Sequence, residues 1–260
     1  MKRLKADGVG LEKDPISIND EEQLWAKQLL GESSPHVLLD TIVFMCGMYF
    51  ALRSRKEHRD LKFDLIKVLL IDGKKCIQYT ENCYKNNPGG LKHQKIEPKV
   101  VTHYENISDP LRCFVKLLEV YYSRCPPPEQ RKTDLFYLTP IAKPKGTFWF
   151  SAIPVGQNTS KTVSRLRKAA GIEGYKTNYS LRVTTATQLF QAGIDEQIYC
   201  HDNKYNTLIQ TVSRASLKNI SFYPASRRQR LRQWAKQCTE IAAGTSSLIR
   251  VASPCRTPWI

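Results

Sequence analysis

The sequence lacks the patterns that mark metal-binding and membrane-spanning proteins. Its eight cysteines form no Cys-x-x-Cys pair, and its five histidines do not cluster with them. Because structural zinc sites draw on closely spaced Cys and His ligands, this spacing argues against a zinc site and for a reducing compartment. No apolar run approaches the roughly 20 residues that a membrane-spanning helix needs. We therefore expect no metal, no other cofactor and no membrane partner.

Acidic side chains are scarce relative to basic ones. The chain has 40 Lys and Arg residues against 24 Asp and Glu residues, which gives a formal net charge of +16 over 260 residues. Such a surplus favours a polyanionic partner, and nucleic acid fits better than a membrane surface. With 41% hydrophobic residues, the chain can also build a packed core.

The first half of the chain combines a helix pattern with strand patterns. Residues 36–52 are apolar nearly all round, which predicts a central core helix. Two apolar runs, 65–71 and 75–80, flank Asp72-Gly73, and this arrangement predicts a β-hairpin. Residues 95–104 can supply a third strand.

The second half is mostly helical in pattern. Amphipathic periodicity predicts helices over residues 109–125, from about 160 to 170, and over 226–243. Short apolar runs at 135–138 and 148–150 read as buried extended segments.

Two separated segments carry the most informative patterns. Residues 47–64 read Gly-Met-Tyr-Phe-Ala-Leu-Arg-Ser-Arg-Lys-Glu-His-Arg-Asp-Leu-Lys-Phe-Asp, and we call them the first motif. Residues 176–198 read Lys-Thr-Asn-Tyr-Ser-Leu-Arg-Val-Thr-Thr-Ala-Thr-Gln-Leu-Phe-Gln-Ala-Gly-Ile-Asp-Glu-Gln-Ile, and we call them the second motif. The second motif places Arg182 at the mouth of a helix that is rich in small residues and is expected to end at Gly193.

Together the two motifs resemble the tyrosine recombinases. In that family a first catalytic arginine lies in a Gly-Leu-Arg-like turn, and a His-x-x-Arg pair opens a later helix. The longer pattern Leu-Arg-x-x-x-Glu-His-Arg-x-Leu resembles the Crypton type of DNA transposon and the domains derived from it at the C-terminal ends of MYM-type zinc-finger and glutamine-rich proteins. The resemblance runs from about Leu4 to Arg214. It implies the integrase catalytic-core fold, which is α+β, mainly helical, with a small antiparallel sheet.

The resemblance divides the chain into three parts. Residues 35–216 match the recombinase catalytic core. Residues 1–34 are too few for the DNA-clamping domain that precedes the core in this family, so we interpret them as the remnant linker of that domain. Residues 217–260 hold the basic helix and a polar tail that we expect to be loose.

The family chemistry assigns roles to particular side chains. A tyrosine attacks the scissile phosphate and forms a 3′-phosphotyrosyl link, while two arginines hold the non-bridging oxygens. A lysine protonates the leaving oxygen, a histidine manages the proton of the nucleophile, and no metal is required. By position, the resemblance gives the arginine roles to Arg53 and Arg182 and the lysine role to Lys85, with Lys92 as the alternative. We expect Arg53, Lys85 and Arg182 to converge on one concave basic face.

Three further catalytic positions lack the expected side chain. Arg214 aligns with the end of a basic pair that follows the nucleophile, and counting back from it places Val212 at the nucleophile and Asn203 at a histidine position. Tyr179 stands where the His-x-x-Arg pair has histidine. Valine cannot attack phosphorus, asparagine has no titratable proton at neutral pH, and a phenol with a pKa of about 10 is a poor base.

Two other tyrosines are alternative nucleophiles. Tyr205 comes too early in a helical stretch that the pattern predicts over residues 199–216, and Tyr223 stands beside Pro224 in a predicted loop. A tyrosine beside a proline is usually a packing residue, so neither replaces the lost nucleophile convincingly.

The matching positions are cations, and the degenerate positions are those that move protons or form bonds. The expected phosphate-binding residues are Arg53, Lys85, Arg182 and Arg214. The favoured interpretation is therefore a transposon-derived domain that binds double-stranded DNA in the nucleus, has lost strand cleavage and rejoining, and could also meet chromatin proteins. One alternative is an active recombinase that uses a non-standard tyrosine and would need to oligomerise. The other is a protein-interaction scaffold.

Overall fold

The computed structural model describes residues 14–52, 56–80 and 100–191, with side chains to residue 188. The chain divides into two compact units, Met1–Thr184 and Thr185–Ile260. The architecture that follows is that of the first unit. In the second unit, residues 185–191 are described and are helical.

Helices dominate the described residues, and their ends follow from local sequence. Ser17 begins the first helix with a capping box that it shares with Asp20, and Ser34 caps the second helix ahead of Pro35. Gly171, with a φ of 70°, ends the fifth helix in the left-handed conformation. The helices are α1 Ile18–Ala26, α2 Pro35–Tyr49, α3 Lys56–Arg59, α4 Phe114–Arg124, α5 Thr162–Ala170 and α6 Asn178–Gln191.

The strands form two small antiparallel sheets. Strands β1 (Ile66–Ile71), β2 (Lys74–Thr80) and β3 (Val100–Tyr104) pair in the order β1-β2-β3, and β4 (Leu138–Pro140) pairs with β5 (Phe150–Pro154). The predicted hairpin is confirmed, with Ile71 opposite Lys74. Its turn residues Asp72 and Gly73 have φ values of 50° and 72°. A two-residue hairpin turn requires positive φ at both positions if its twist is to match that of the strands.

The core is organised around α2. This helix is buried along nearly its whole length, so it carries apolar side chains on all sides. One buried cluster joins α2 to α4, to the three-stranded sheet and to β4 and β5. A second cluster joins the opposite side of α2, through Phe44 and Met48, to α1, α5 and Leu181 of α6.

The described part of the segment before α2 packs against the core, and its interpretation as the remnant linker of a further domain stays a prediction. Ile16, Leu24 and Leu30 are buried in the second cluster, with at most 5% of each side chain exposed. The described part of residues 1–34 therefore belongs to the core, where it packs against α5 and α6. The predicted domain limit at residue 216 lies outside the described residues and stays a prediction.

The predicted α+β architecture, mainly helical with a small antiparallel sheet, is confirmed, although some element limits differ. The central helix ends at Tyr49 because Ala51 has a φ of 50° and turns the chain. The helix predicted over 109–125 begins at Phe114, after a 3-10 turn at Pro110–Arg112. The extended segment predicted at 135–138 pairs at Leu138–Pro140.

Candidate functional site

The second motif opens as a helix whose first turn is fixed by buried hydrogen bonds. Asn178, the first residue of α6, has no exposed surface. Its amide nitrogen donates to the carbonyl oxygen of Thr159 at 2.7 Å, and its amide oxygen accepts from the backbone N–H of Val163 at 3.1 Å. This single side chain therefore ties the start of α6 to the start of α5.

The N-terminal segment holds α6 from its other side. The ammonium of Lys176 donates to the carbonyl oxygen of Pro15 at 2.9 Å and lies 3.0 Å from a carboxylate oxygen of Asp20. The backbone N–H of Ile16 donates to the hydroxyl of Thr184 at 2.7 Å. The Ile16–Thr184 hydrogen bond is buried and the Lys176–Pro15 hydrogen bond is partly buried, so the helix that carries Arg182 is held on two sides.

Arg182 connects the second motif to the first. Its side chain is buried, with 5% exposed, and its Nη1 donates to the carbonyl oxygen of Ala51 at 2.8 Å. Ala51 directly follows Phe50, the residue that caps the end of α2. A guanidinium at the carbonyl end of a helix is favoured by the helix dipole. The arginine therefore lies at the junction of the two motifs.

The motifs also touch through a glycine. A Cβ atom built on Gly47 would lie 2.5 Å from Cδ1 of Leu181 and 3.2 Å from Nε2 of His58. A side chain at position 47 would force Leu181 to shift, so glycine here lets α2 and α6 approach closely.

His58 of the first motif is a core residue. It has no exposed surface, and its Nδ1 lies 3.0 Å from the hydroxyl of Tyr137, whereas its Nε2 is buried without a hydrogen-bond partner among the described residues. Burial lowers the pKa of His58 from 6.5 to about 4, so the ring is neutral at physiological pH. Its role is packing rather than contact with an external ligand.

Tyr179 lies one helical turn before Arg182. The spacing of three residues puts the two side chains on the same side of α6, and Tyr179 is half-buried. The phenol therefore lies on the same side of the helix as the arginine, while its assignment to the histidine position of the recombinase pattern stays a prediction.

The other predicted site residues lie outside the described residues. The convergence of Arg53 and Lys85 with Arg182 thus stays a prediction. The same holds for the degenerate positions and the alternative nucleophiles. These residues are Arg53, Lys85, Lys92, Asn203, Tyr205, Val212, Arg214 and Tyr223.

Sequence reasoning missed an ion pair elsewhere in the fold between a buried carboxylate and an exposed arginine. Asp40 of α2 accepts a 2.5 Å hydrogen bond from Nη2 of Arg165 on α5. Burial raises the pKa of Asp40 to about 6, and the Arg165 charge opposes that rise. Asp40 stands within an apolar helix pattern, which was the available sequence signal, since a carboxylate there needs a partner.

Neither a metal site nor a membrane span is found in the part of the chain that the structure describes. Across residues 14–52, 56–80 and 100–191, no group of three or more His, Cys, Asp or Glu side chains is placed to hold a metal ion. No helix in these ranges is long and apolar enough to cross a membrane.

Two solved complexes of the XerH site-specific recombinase have similar backbones. The pre-cleavage complex with difH substrate is 19% identical, with 85% of this chain and 55% of that chain covered and a TM-score of 0.42. The post-cleavage complex with palindromic difH substrate is 19% identical, with 91% and 54% covered and a TM-score of 0.45.

Curated relatives are similar over about half of this chain. Zinc finger MYM-type protein 2 of Homo sapiens is 31% identical over an alignment of 155 residues, with 54% of this chain and 11% of that protein covered. Zinc finger MYM-type protein 3 of Homo sapiens is 30% identical over 156 residues, with 54% and 11% covered. Transcriptional regulator QRICH1 of Homo sapiens is 32% identical over 149 residues, with 53% and 18% covered. The predicted resemblance to MYM-type zinc-finger proteins is confirmed, and the match spans less than a fifth of each relative.

A family model described as "Domain of unknown function (DUF3504)" matches residues 15–168. The match includes the whole first motif and stops before the second. Because it covers more than half of the 260 residues, this chain belongs to the family described as Domain of unknown function (DUF3504).

Proposed function

We propose that this chain is a tyrosine-recombinase-like domain that binds double-stranded DNA and has lost strand cleavage and rejoining. The observation that carries the proposal is the junction of the two motifs. Arg182 is bonded to Ala51, and Leu181 packs on Gly47, so the segments that resemble the two arginine motifs of recombinases meet in space.

The charge of the chain supports DNA as the ligand. A formal net charge of +16 attracts a polyanion over a long range. A guanidinium offers planar, permanently charged donors that suit phosphate oxygens. The bond from Arg182 to Ala51 fixes the direction of the guanidinium, and a fixed donor loses less entropy when it binds phosphate.

The loss of cleavage follows from the side chains at the catalytic positions. Tyr179 offers a phenol where the recombinase pattern has the imidazole that carries protons. Asn203 and Val212 supply neither a proton carrier nor a nucleophile. The groups that remain bind phosphate but do not perform chemistry on it.

The names of the relatives support a proposal for where in the cell this DNA binding takes place. One relative is named a transcriptional regulator, and two are zinc finger proteins. We propose that this chain acts in the nucleus, at DNA that also carries chromatin proteins. Oligomerisation would be required only if recombination were retained.

Duplex DNA binding tests the proposal. Binding of a short duplex is measured for wild type, Arg182→Lys and Arg182→Ala over a series of salt concentrations. Wild-type binding should be largely independent of sequence, and log Kd should change with log salt by about 0.9 for each phosphate neutralised. Arg182→Ala should lower that slope by about 0.9, the value for one phosphate contact. Arg182→Lys should bind DNA more weakly than wild type but with the same slope, because lysine keeps the positive charge.

Arg112→Ala is the charge-matched control. The substitution removes one positive charge, as Arg182→Ala does. The guanidinium of Arg112 lies on the surface, where its Nη1 is 2.8 Å from a carboxylate oxygen of Glu22. Urea unfolding of each variant first establishes that it is folded. If Arg112→Ala weakens DNA binding as much as Arg182→Ala does, the binding is diffuse and the proposed site is wrong. Salt-independent binding would favour the protein-interaction scaffold.

A further inference from the structure

A cavity of about 630 Å³ lies beside the N-terminal half of α2, apart from the motif junction. Its walls come from α2, from the ends of β4 and β5, and from α5. Asp40 in its wall and Tyr49 at the end of α2 are separated by about 14 Å along the helix axis, at about 1.5 Å per residue. The cavity is thus a separate site from Arg182, which lies at the far end of α2.

Three cations line one side of the cavity. Lys161, Arg165 and Lys168 are spaced by four and three residues, so they share one face of the α5 segment. All three side chains are exposed. In the described ranges, no ion pair is formed by Lys161 or Lys168. This face therefore presents positive charge toward the cavity.

The carboxylate of Asp40, the acidic group in the cavity lining, is already paired within the protein. The carboxylate of Asp40 is 10% exposed and holds Nη2 of Arg165, whose own side chain is 53% exposed. Asp40 also lies 3.5 Å from the hydroxyl of Thr162. Asp40 acts as a buried anchor that directs Arg165 toward the opening. The charge left for a ligand to neutralise is positive.

Part of the cavity lining is apolar, alongside polar side chains such as Thr139 and Ser164. We call the apolar part, Leu39, Pro140 and Val155, the floor. A volume of this size is within the range of pockets that hold small ligands, about 300–1,000 Å³. A DNA backbone presents its charged phosphates outward, whereas an apolar side chain of a peptide would gain from leaving water at such a floor.

We propose that this cavity binds a short acidic peptide segment of a partner protein. An apolar side chain of the segment lies on the floor, and flanking carboxylates pair with Lys161, Arg165 and Lys168. Charge complementarity carries the choice of partner, since several cations surround an apolar floor and the one carboxylate is internally paired. The proposal does not depend on DNA binding.

The test uses the full chain and a short capped peptide in which one leucine is flanked on both sides by aspartates. Binding is measured by calorimetry for wild type and for the double variant Lys161→Glu/Lys168→Glu. Both lysines are exposed, so the variant should keep the wild-type melting temperature. The peptide should bind wild type, and the charge reversal should weaken binding by about tenfold or more.

The matched control is Lys143→Glu/Lys145→Glu, which reverses two exposed lysines outside the cavity and should leave peptide binding unchanged. A peptide with glycine in place of the leucine should bind more weakly. Absence of binding to wild type, or equal weakening by both double variants, would overturn the proposal. Equal binding of the glycine peptide or of pyrophosphate would show a small-anion site instead. A selective loss of duplex DNA affinity on reversing Lys161 and Lys168 would assign the cavity to the DNA interface and also overturn it.

Discussion

Arg182 and Ala51 are joined by a buried hydrogen bond of 2.8 Å although they lie 131 residues apart in sequence. The bond connects the second turn of α6 to the residue that turns the chain after α2. A side chain held in this way is already oriented before any ligand arrives, which is how binding sites on rigid elements reach their precision. The same bond makes Arg182 part of the stability of the fold, so its variants need a folding control.

The contact between Gly47 and Leu181 predicts a steric penalty. Gly47→Ala should lower the free energy of unfolding by about 1–3 kcal/mol, because the new methyl would meet Cδ1 of Leu181 in a packed interior. Gly146→Ala is the control, since a Cβ there meets nothing within 4 Å. Urea unfolding measures both variants.

A double-mutant cycle identifies the cause of that penalty. If Leu181 is the obstacle, Gly47→Ala should cost much less in a Leu181→Ala background, and the two changes should be clearly non-additive. Additive effects would place the obstacle elsewhere, with Nε2 of His58 as the next neighbour at 3.2 Å.

Replacing the buried polar side chain of Asn178 should lower the free energy of unfolding more than the change at Gly47 does. In Asn178→Ala, the carbonyl of Thr159 and the N–H of Val163 lose their buried partner. Each group left without a partner costs about 1–3 kcal/mol. Asn158→Ala removes the same kind of side chain from an exposed position and should change stability by less than about 0.5 kcal/mol. Similar unfolding midpoints for the two variants would contradict the anchoring role of Asn178.

The sequence predicted elements whose causes are local. Asp72-Gly73 specifies its hairpin because only a few residues accept positive φ in both turn positions. The apolar pattern around Ile42 likewise predicts a core helix. The end of that helix was missed because Ala51 adopts its φ of 50° in a residue type that gives no local signal for it.

Contacts between residues that are far apart in sequence explain the other differences between the predictions and the structure. Ile16 and Leu24 stand in a polar segment and read as linker, yet they are buried against α5 and α6. Asp40 could be recognised as needing a partner, but nothing in the sequence names Arg165 as that partner. The place of Arg182 at the start of a helix was readable from its motif, whereas its bond to Ala51 required the fold.

His58 predicts a pH-dependent part of the stability. Its pKa is about 4 in the folded chain and 6.5 when unperturbed, so the unfolded chain takes up a proton first as the pH falls. The contribution of a neutral His58 is fully present above pH 6.5 and is lost between pH 6.5 and 4, at about 1.4 kcal/mol per pH unit. Asp40 acts in the opposite direction, because its raised pKa of about 6 makes the folded chain bind a proton first below that pH.

The variant His58→Gln isolates the histidine from that opposing carboxylate. The free energy of unfolding of wild type minus that of His58→Gln should fall by about 3 kcal/mol between pH 6.5 and 4. Tyr137→Phe removes the hydroxyl that lies 3.0 Å from Nδ1 but keeps the ring, so it should retain most of the wild-type pH dependence. Parallel curves for wild type and His58→Gln would instead show that His58 has the same pKa in the folded and unfolded chains.

The catalytic positions predict the result of a cleavage assay. Val212 offers no oxygen to attack phosphorus, so incubation with a nicked suicide substrate should give no covalent protein–DNA adduct. Val212→Tyr alone should restore little, because Tyr179 and Asn203 leave both proton transfers unassisted, and each such loss commonly costs about 10²–10⁴ in rate.

The triple variant Val212→Tyr/Asn203→His/Tyr179→His is the fair attempt at rescue, since it returns the nucleophile and both proton carriers while Arg182 keeps its bond to Ala51. An adduct from the triple variant that disappears with Arg182→Ala would support the recombinase-like geometry, because the arginine would then be stabilising charge on the phosphate. A denaturant-resistant adduct from the unmodified chain would instead show that cleavage is retained. Peptide mapping of that adduct to Tyr205 or Tyr223 would then identify the nucleophile that takes the place of Val212.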